Sequence, residues 1–139
     1  MKFLTLSNRE VRMDIVPSRY PVRSRDKSRS FGQFNLGRQI KQLYGPATLL
    51  EEFPIPDSRL SLDFYMPQHG LAFEFQGIQH DKYVEHFHGD KDGFERQLIR
   101  DSKKREWCEL NDITLIEVRD SNLSSTELME LIQETRDVE

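Results

Sequence analysis

The stretch Leu60 to His80, LSLDFYMPQHGLAFEFQGIQH, constrains this chain more than any other. Leu60, Leu62, Phe64 and Met66 alternate with Ser61, Asp63 and Tyr65. After Pro67, Gln68, His69 and Gly70, the residues Leu71, Phe73 and Phe75 alternate with Ala72, Glu74 and Gln76. Successive side chains of a strand take opposite faces. The pattern therefore predicts a hairpin with its large apolar residues on one face and Asp63, Glu74 and Gln76 on the other. Closure across the four turn residues pairs Met66 with Leu71, and counting back pairs Asp63 with Glu74. Like charges directly opposite, with Cβ atoms about 5 Å apart, destabilise a sheet. A hard divalent cation between them removes the conflict, because Mg²⁺ and Ca²⁺ take carboxylate oxygens. A solvated face, a slipped register or a basic partner for each acid would remove it as well, and the hairpin alone does not choose.

The flanking sequence supplies the rest of an α/β fold. Ser30 suits the N-cap of a helix over 31–44, which Gly45-Pro46 ends. Gly37 inside it costs about 1 kcal/mol relative to Ala. Residues 47–53 read as a strand closed by Pro54 and Pro56. A polar loop rich in His and Asp follows Gly77, and a helix fits 94–110. At about 100° per residue, Phe94, Leu98, Asp101, Arg105 and Cys108 fall on one stripe of that helix. Asp101 then sits among residues that should face the sheet, where a charge needs either an ion-pair partner or a chemical task. Residues 113–118, ITLIEV, read as a strand buried on both faces. Ser124 and Glu127 form a capping box that opens a last helix with Leu128, Leu131 and Ile132 inward. The order is arm, helix, three strands, helix, strand, helix, which predicts one mixed sheet with helices packed on it.

Charge divides the chain. Residues 1–45 hold ten Lys/Arg against three Asp/Glu, and the remainder is strongly acidic, leaving a net charge of −4 over 139 residues. Within a basic arm (1–30) the run RYPVRSRDKSR carries Arg19, Arg23, Arg25, Lys27 and Arg29 around Tyr20. Such an arm suits a phosphate backbone, with Tyr20 free to stack on a base; a solubilising or disordered tail has the same composition. No apolar run is long enough to span a bilayer and no signal-peptide pattern is present. The single Cys108 suits a reducing compartment, so the expectation is cytoplasmic, with no membrane partner. His86 and His88 with Cys108 match no compact zinc spacing. No Gly-rich phosphate loop or GxSxG elbow supports nucleotide hydrolysis or esterase chemistry.

The ordered set resembles the core of the PD-(D/E)xK nuclease superfamily. Asp63, ten residues, then Glu74-Phe75-Gln76 stands for the motif. DFYMP, LAFEFQGIQH, Arg100-Asp101-x-x-Lys104 and ITLIEV resemble small phage-encoded nucleases and the very-short-patch-repair-like and homing endonuclease branch. The resemblance covers about residues 31–120 and implies a restriction-endonuclease-like αβββαβ core over 31–139. It implies a phage- or mobile-element-encoded, metal-dependent DNA endonuclease, with Asp63, Glu74 and the Gln76 carbonyl holding Mg²⁺ or Mn²⁺. His80 and Asp101 are then catalytic, and Arg100 and Lys104 join the arm in binding double-stranded, branched or mismatched DNA; cutting both strands implies a homodimer or sequential nicking. Two positions depart from the family pattern. Gln76 stands where the usual Lys would be, and the first helix offers Gln33 but no acid, so that ligand is missing or comes from Glu51 or Glu52. A non-catalytic nucleic-acid-binding domain on the same scaffold is the alternative.

Overall fold

The structure, a computed structural model, describes residues 1–77, 91–120 and 122–138. Strands Lys2–Leu4 (β1) and Glu10–Arg12 (β2) form a small antiparallel hairpin. Helix Phe31–Tyr44 (α1) follows, then strands Leu50–Pro54 (β3), Ser61–Met66 (β4) and Leu71–Phe75 (β5). Helix Lys91–Leu110 (α2), strand Thr114–Val118 (β6) and helix Ser125–Val138 (α3) complete the order. The main sheet runs β3-β4-β5-β6, antiparallel across its first two pairs and parallel between β5 and β6. The described chain is thus α/β, with three helices, a mixed four-stranded sheet and a two-stranded one. No helix among the described residues is long and apolar enough to cross a membrane.

Local chemistry sets the element ends. Ser30 caps α1, its hydroxyl accepting from the Gln33 amide at 3.0 Å. Ser124 and Glu127 bond each other's backbone amides at 3.1 and 3.2 Å, the reciprocal box expected at the start of α3. The β4–β5 turn places Met66 opposite Leu71 and Phe64 opposite Phe73, as the four-residue loop requires. A parallel neighbour needs a crossover, and α2 supplies it between β5 and β6.

Both faces of the sheet are buried. On one, Phe64, Met66, Leu71, Phe73, Ile116 and Val118 pack against Leu36 and Ile40 of α1 and Leu128 and Ile132 of α3. On the other, Leu50, Phe53, Tyr65 and Ala72 pack with Phe3, Trp107 and Cys108. The expected single apolar face is therefore only half of the arrangement. Tyr65 is buried on the second face, and Leu62 joins it instead of Phe64. In β3, Leu50 and Phe53 reach the same cluster although three residues apart, with Glu52 at φ 55° between them breaking the alternation.

The first thirty residues pack onto this framework. Phe3 lies 5.4 Å from the Trp107 ring and 6.1 Å from Phe53, and Asn111 at the end of α2 bonds both the amide and the carbonyl of Leu4. Tyr20 sits edge-on to Phe53 at 5.5 Å, half-buried. It is part of the second core and not the free stacking group expected from its basic surroundings.

The expected stripe of α2 is also corrected. Leu98 and Arg105 are exposed, and the line turned inward is Gln97, Asp101, Lys104 and Cys108, with Trp107 fully buried beside it. Three of those inward residues are polar, so a stripe chosen by hydrophobicity selects the wrong rotation about the helix axis.

Gly37 faces the Phe64 ring, whose edge stands 2.8 Å from where a Cβ would be placed. Gly37→Ala should therefore lower stability by about 1 kcal/mol or more, against the gain of about 1 kcal/mol that helix propensity promises. A urea midpoint that rises instead would show that the Phe64 ring yields.

Candidate functional site

The hairpin register, continued one pair beyond Phe64 and Phe73, sets Asp63 of β4 opposite Glu74 of β5. Both are buried, at 7% and 4% exposure. Each carboxylate reaches across to the other strand's backbone: Glu74 Oε2 accepts from the Asp63 amide at 2.5 Å, and Asp63 Oδ2 accepts from the Phe75 amide at 2.8 Å. The crossed bonds hold two negative groups side by side in a setting with little water.

The compensating charge comes from α2. Lys104 Nζ donates to Glu74 Oε1 at 2.6 Å, and its side chain is only 13% exposed. One residue on, Arg105 Nε donates to Glu117 Oε1 at 2.6 Å. Glu74 and Glu117 are register partners on β5 and β6, so α2 sets one cation over each of two adjacent acids. Lys104, expected to reach DNA phosphate from a flank, lies inside the site. The cation that Gln76 lacks on the strand is present on the helix.

A cavity of about 170 Å³ opens over the pair. Asp63, Glu74 and Gln76 line it from the strands, Gln97, Asp101 and Lys104 from α2, and Arg29, Ser30 and Gln33 from the start of α1. The structure thus brings together six residues singled out from sequence: Asp63, Glu74, Gln76 and Asp101 of the expected catalytic set, and Lys104 and Arg29 of the expected DNA-binding set. Asp101 is 4% exposed and accepts from Gln97 Nε2 at 3.0 Å. His80, His86 and His88 lie outside the described residues. Arg100 is exposed, bonded to Gln97 Oε1 at 2.9 Å. Of the arm, Arg19, Arg25, Lys27 and Arg29 are exposed and Arg23 is half-buried.

Sequence reasoning left open what stands in for an acid on α1, and the structure shows how Gln33 is used. Its amide nitrogen donates to Glu51 Oε2 at 2.8 Å and Glu52 Oε1 at 3.1 Å. Glu51 is buried and also accepts the Arg23 amide at 2.7 Å. Glu52 accepts from Ser61 Oγ at 2.9 Å and lies 3.5 Å from the Arg29 guanidinium. The left-handed backbone of Glu52 lets both neighbouring acids meet one amide, a placement that strand alternation gives no sign of.

Burial pushes the Asp63 carboxyl up to about 8, and the negative charge of Glu74 adds to the rise, against the Phe75 amide and Lys104, which pull it down. Burial likewise raises Glu74, opposed chiefly by Lys104. Lys104 is lowered by burial but raised further by Glu74, Asp63 and Asp101, and it stays charged. The pair therefore holds a proton near neutrality beside a retained positive charge. Cys108 is packed in the second core, and burial raises its thiol to about 12.

Three carboxylates, Asp63, Glu74 and Asp101, line the cavity, and carboxylate oxygen is the donor Mg²⁺ and Mn²⁺ take. Among the described residues no group of three or more His, Cys, Asp or Glu gathers to hold an ion. The set fits the kind of Mg²⁺ site that uses one or two carboxylates and leaves its other positions to water, backbone carbonyl and substrate phosphate.

No family model and no solved structure matches the chain. Parts of it are similar to viral proteins. It is 46% identical over 59 residues to uncharacterized protein 307L of Invertebrate iridescent virus 6, covering 42% of this chain and 30% of that protein. It is 38% identical over 65 residues to uncharacterized protein 033L of Invertebrate iridescent virus 3, covering 47% of this chain and 34% of that one. Uncharacterized protein 094L of Frog virus 3 is 43% identical over 60 residues, 42% of this chain and 39% of its own length. The matched part spans about a third of each of these relatives.

Between about pH 4, where an unfolded Asp loses its proton, and about pH 8, the folded state carries the extra proton on Asp63. Stability in EDTA should therefore fall as the pH rises across that window. Asp63→Asn removes the titrating group while keeping an oxygen for the Phe75 amide. Its urea midpoint should fall less between pH 5 and pH 8 than the parent's, by more than about 1 kcal/mol of stability. Parallel pH profiles for the two proteins would show that Asp63 ionises normally.

Proposed function

We propose that this chain is a divalent-metal-dependent DNA endonuclease with its site on the Asp63–Glu74 pair. The observation that carries the reading is the pair itself: two acids buried face to face at the floor of an open cavity, with a lysine from the covering helix. A protein using them only for stability gains little from such a cluster, since buried ion pairs often stabilise no better than apolar residues of the same size. The strand order and the α2 crossover support a restriction-endonuclease-like core, and the viral relatives support a viral setting alone.

Asp63, Glu74 and the Gln76 carbonyl would hold Mg²⁺ or Mn²⁺, which when bound polarises the scissile phosphate and lowers the pKa of a coordinated water. The chain's own residues do the rest. Lys104 keeps a positive charge at the site without Gln76 having to be a lysine, and it favours ionisation of Glu74 and Asp63. Arg29 at the mouth meets a phosphate oxygen, while Gln97 holds Asp101 in place on the cavity wall. Arg19, Arg25, Lys27 and Arg100 add exposed positive charge for backbone contact, and His80 keeps its proposed acid–base role.

Purified protein incubated with supercoiled plasmid should nick it in Mg²⁺ or Mn²⁺ and not in EDTA. Asp63→Asn and Glu74→Ala should each reduce nicking by roughly 100-fold or more, beyond the loss that removing an outer partner of a metal ligand causes, with the circular dichroism spectrum retained. Nicking that persists in both variants would remove the pair from the chemistry. Salt-sensitive binding without cleavage would favour the non-catalytic binding domain.

Lys104 lowers the pKa of both acids. In Lys104→Met the acid limb of the pH–rate profile should move to higher pH, because the pair then ionises later. An unshifted limb with a uniformly lower rate would assign Lys104 to packing alone.

A further inference from the structure

The cavity over Asp63 and Glu74, at about 170 Å³, is well below the roughly 300–1,000 Å³ of pockets that enclose a drug-sized ligand. It has room for a phosphate and some water, so the nucleoside attached to that phosphate must lie at its mouth. Phe31, the first residue of α1, is exposed and next in the chain to Ser30 of the cavity wall. Arg29, Ser30 and Gln33 around it line the cavity. Its neighbour Gly32 lies against the ring of Phe75, another part of the cavity wall, so closely that a Cβ at Gly32 would stand 2.2 Å from the ring.

Single exposed apolar side chains are ordinary, and Met129 is as exposed as Phe31, each at 55%. Phe31 differs in its surroundings. The Arg25 guanidinium lies over its ring at 5.1 Å, and the first turn of α1 carries no acid. An exposed aromatic ring with a cation on one face, beside a phosphate-sized cavity, has the makings of a platform for a nucleobase. A base inside a duplex already has both faces covered by its neighbours. Only an unpaired base has a face to give.

We infer that Phe31, backed by Arg25, stacks an unpaired base of a DNA strand whose phosphate occupies the Asp63–Glu74 cavity, which makes single-stranded DNA the preferred substrate. The inference rests on the reading of that cavity as a phosphodiester site. It also moves the stacking role from Tyr20, which the core has taken, to a residue the basic run does not contain.

The test uses the full chain in EDTA, where no cleavage occurs. The probes are a single-stranded oligonucleotide carrying 2-aminopurine and a blunt duplex of the same sequence. The parent should bind the single strand more tightly and quench its fluorescence. Phe31→Ala should weaken single-strand binding roughly ten-fold and lose the quench, leave duplex binding unchanged, and be rescued by Phe31→Tyr. Single-strand binding that is unaffected by Phe31→Ala, or loss that is equal on both DNAs, overturns the platform. The cavity reading survives that result if metal-dependent nicking still needs Glu74. Failure of the parent to bind the single strand overturns the platform, and failure of the parent to nick plasmid in Mg²⁺ or Mn²⁺ overturns the cavity reading with it.

Discussion

Two carboxylates with almost no water around them set the terms for this molecule. Asp63 and Glu74 are brought opposite each other by the β4–β5 register and held by crossed bonds to each other's strand. Isolated buried charges are too costly to keep. The pair persists because burial keeps the proton on Asp63 up to about pH 8 and because Lys104 reaches down from α2 to 2.6 Å. The rotation of α2, the polarity of its inner line and the cavity above the strands all follow from meeting that requirement.

The two cores divide the labour. Beneath the hairpin, α1 and α3 close an apolar layer that fixes the register of β4, β5 and β6. Above it, the aromatic cluster of Phe3, Phe53, Tyr65 and Trp107 anchors the C-terminal half of α2 and the β1–β2 hairpin. Helix α2 is thus held by packing toward its C-terminal end, and by Gln97, Asp101 and Lys104 where it covers the acids. A site placed at the boundary between an apolar and a polar layer combines fixed geometry with access from outside.

Much of this was legible in the chain. The alternation over 60–76 and the length of its turn gave the hairpin register, and with it the opposed acids. Ser30 and the Ser124–Glu127 box marked helix starts from side-chain chemistry within three residues. Other features were hidden for identifiable reasons. Lys104 looks like any surface lysine because nothing local distinguishes a cation that folds inward. The Gln33 bridge to Glu51 and Glu52 depends on a left-handed residue in the middle of a strand, which β propensity argues against. Tyr20 sits in a basic run in sequence and in an apolar cluster in space.

Sequence alone determined what depends on neighbours a few residues apart: turn length, caps, and the confrontation of Asp63 with Glu74. Those follow from the two-residue period of a strand and from hydrogen bonds that a short segment can make with itself. Only the tertiary structure decided which cation answers the acids, which line of α2 turns inward, and which aromatic residues are spent in the core. A one-residue step rotates a helix by about 100°, so the side chain that meets the sheet is fixed by packing between distant segments and by no pattern within α2.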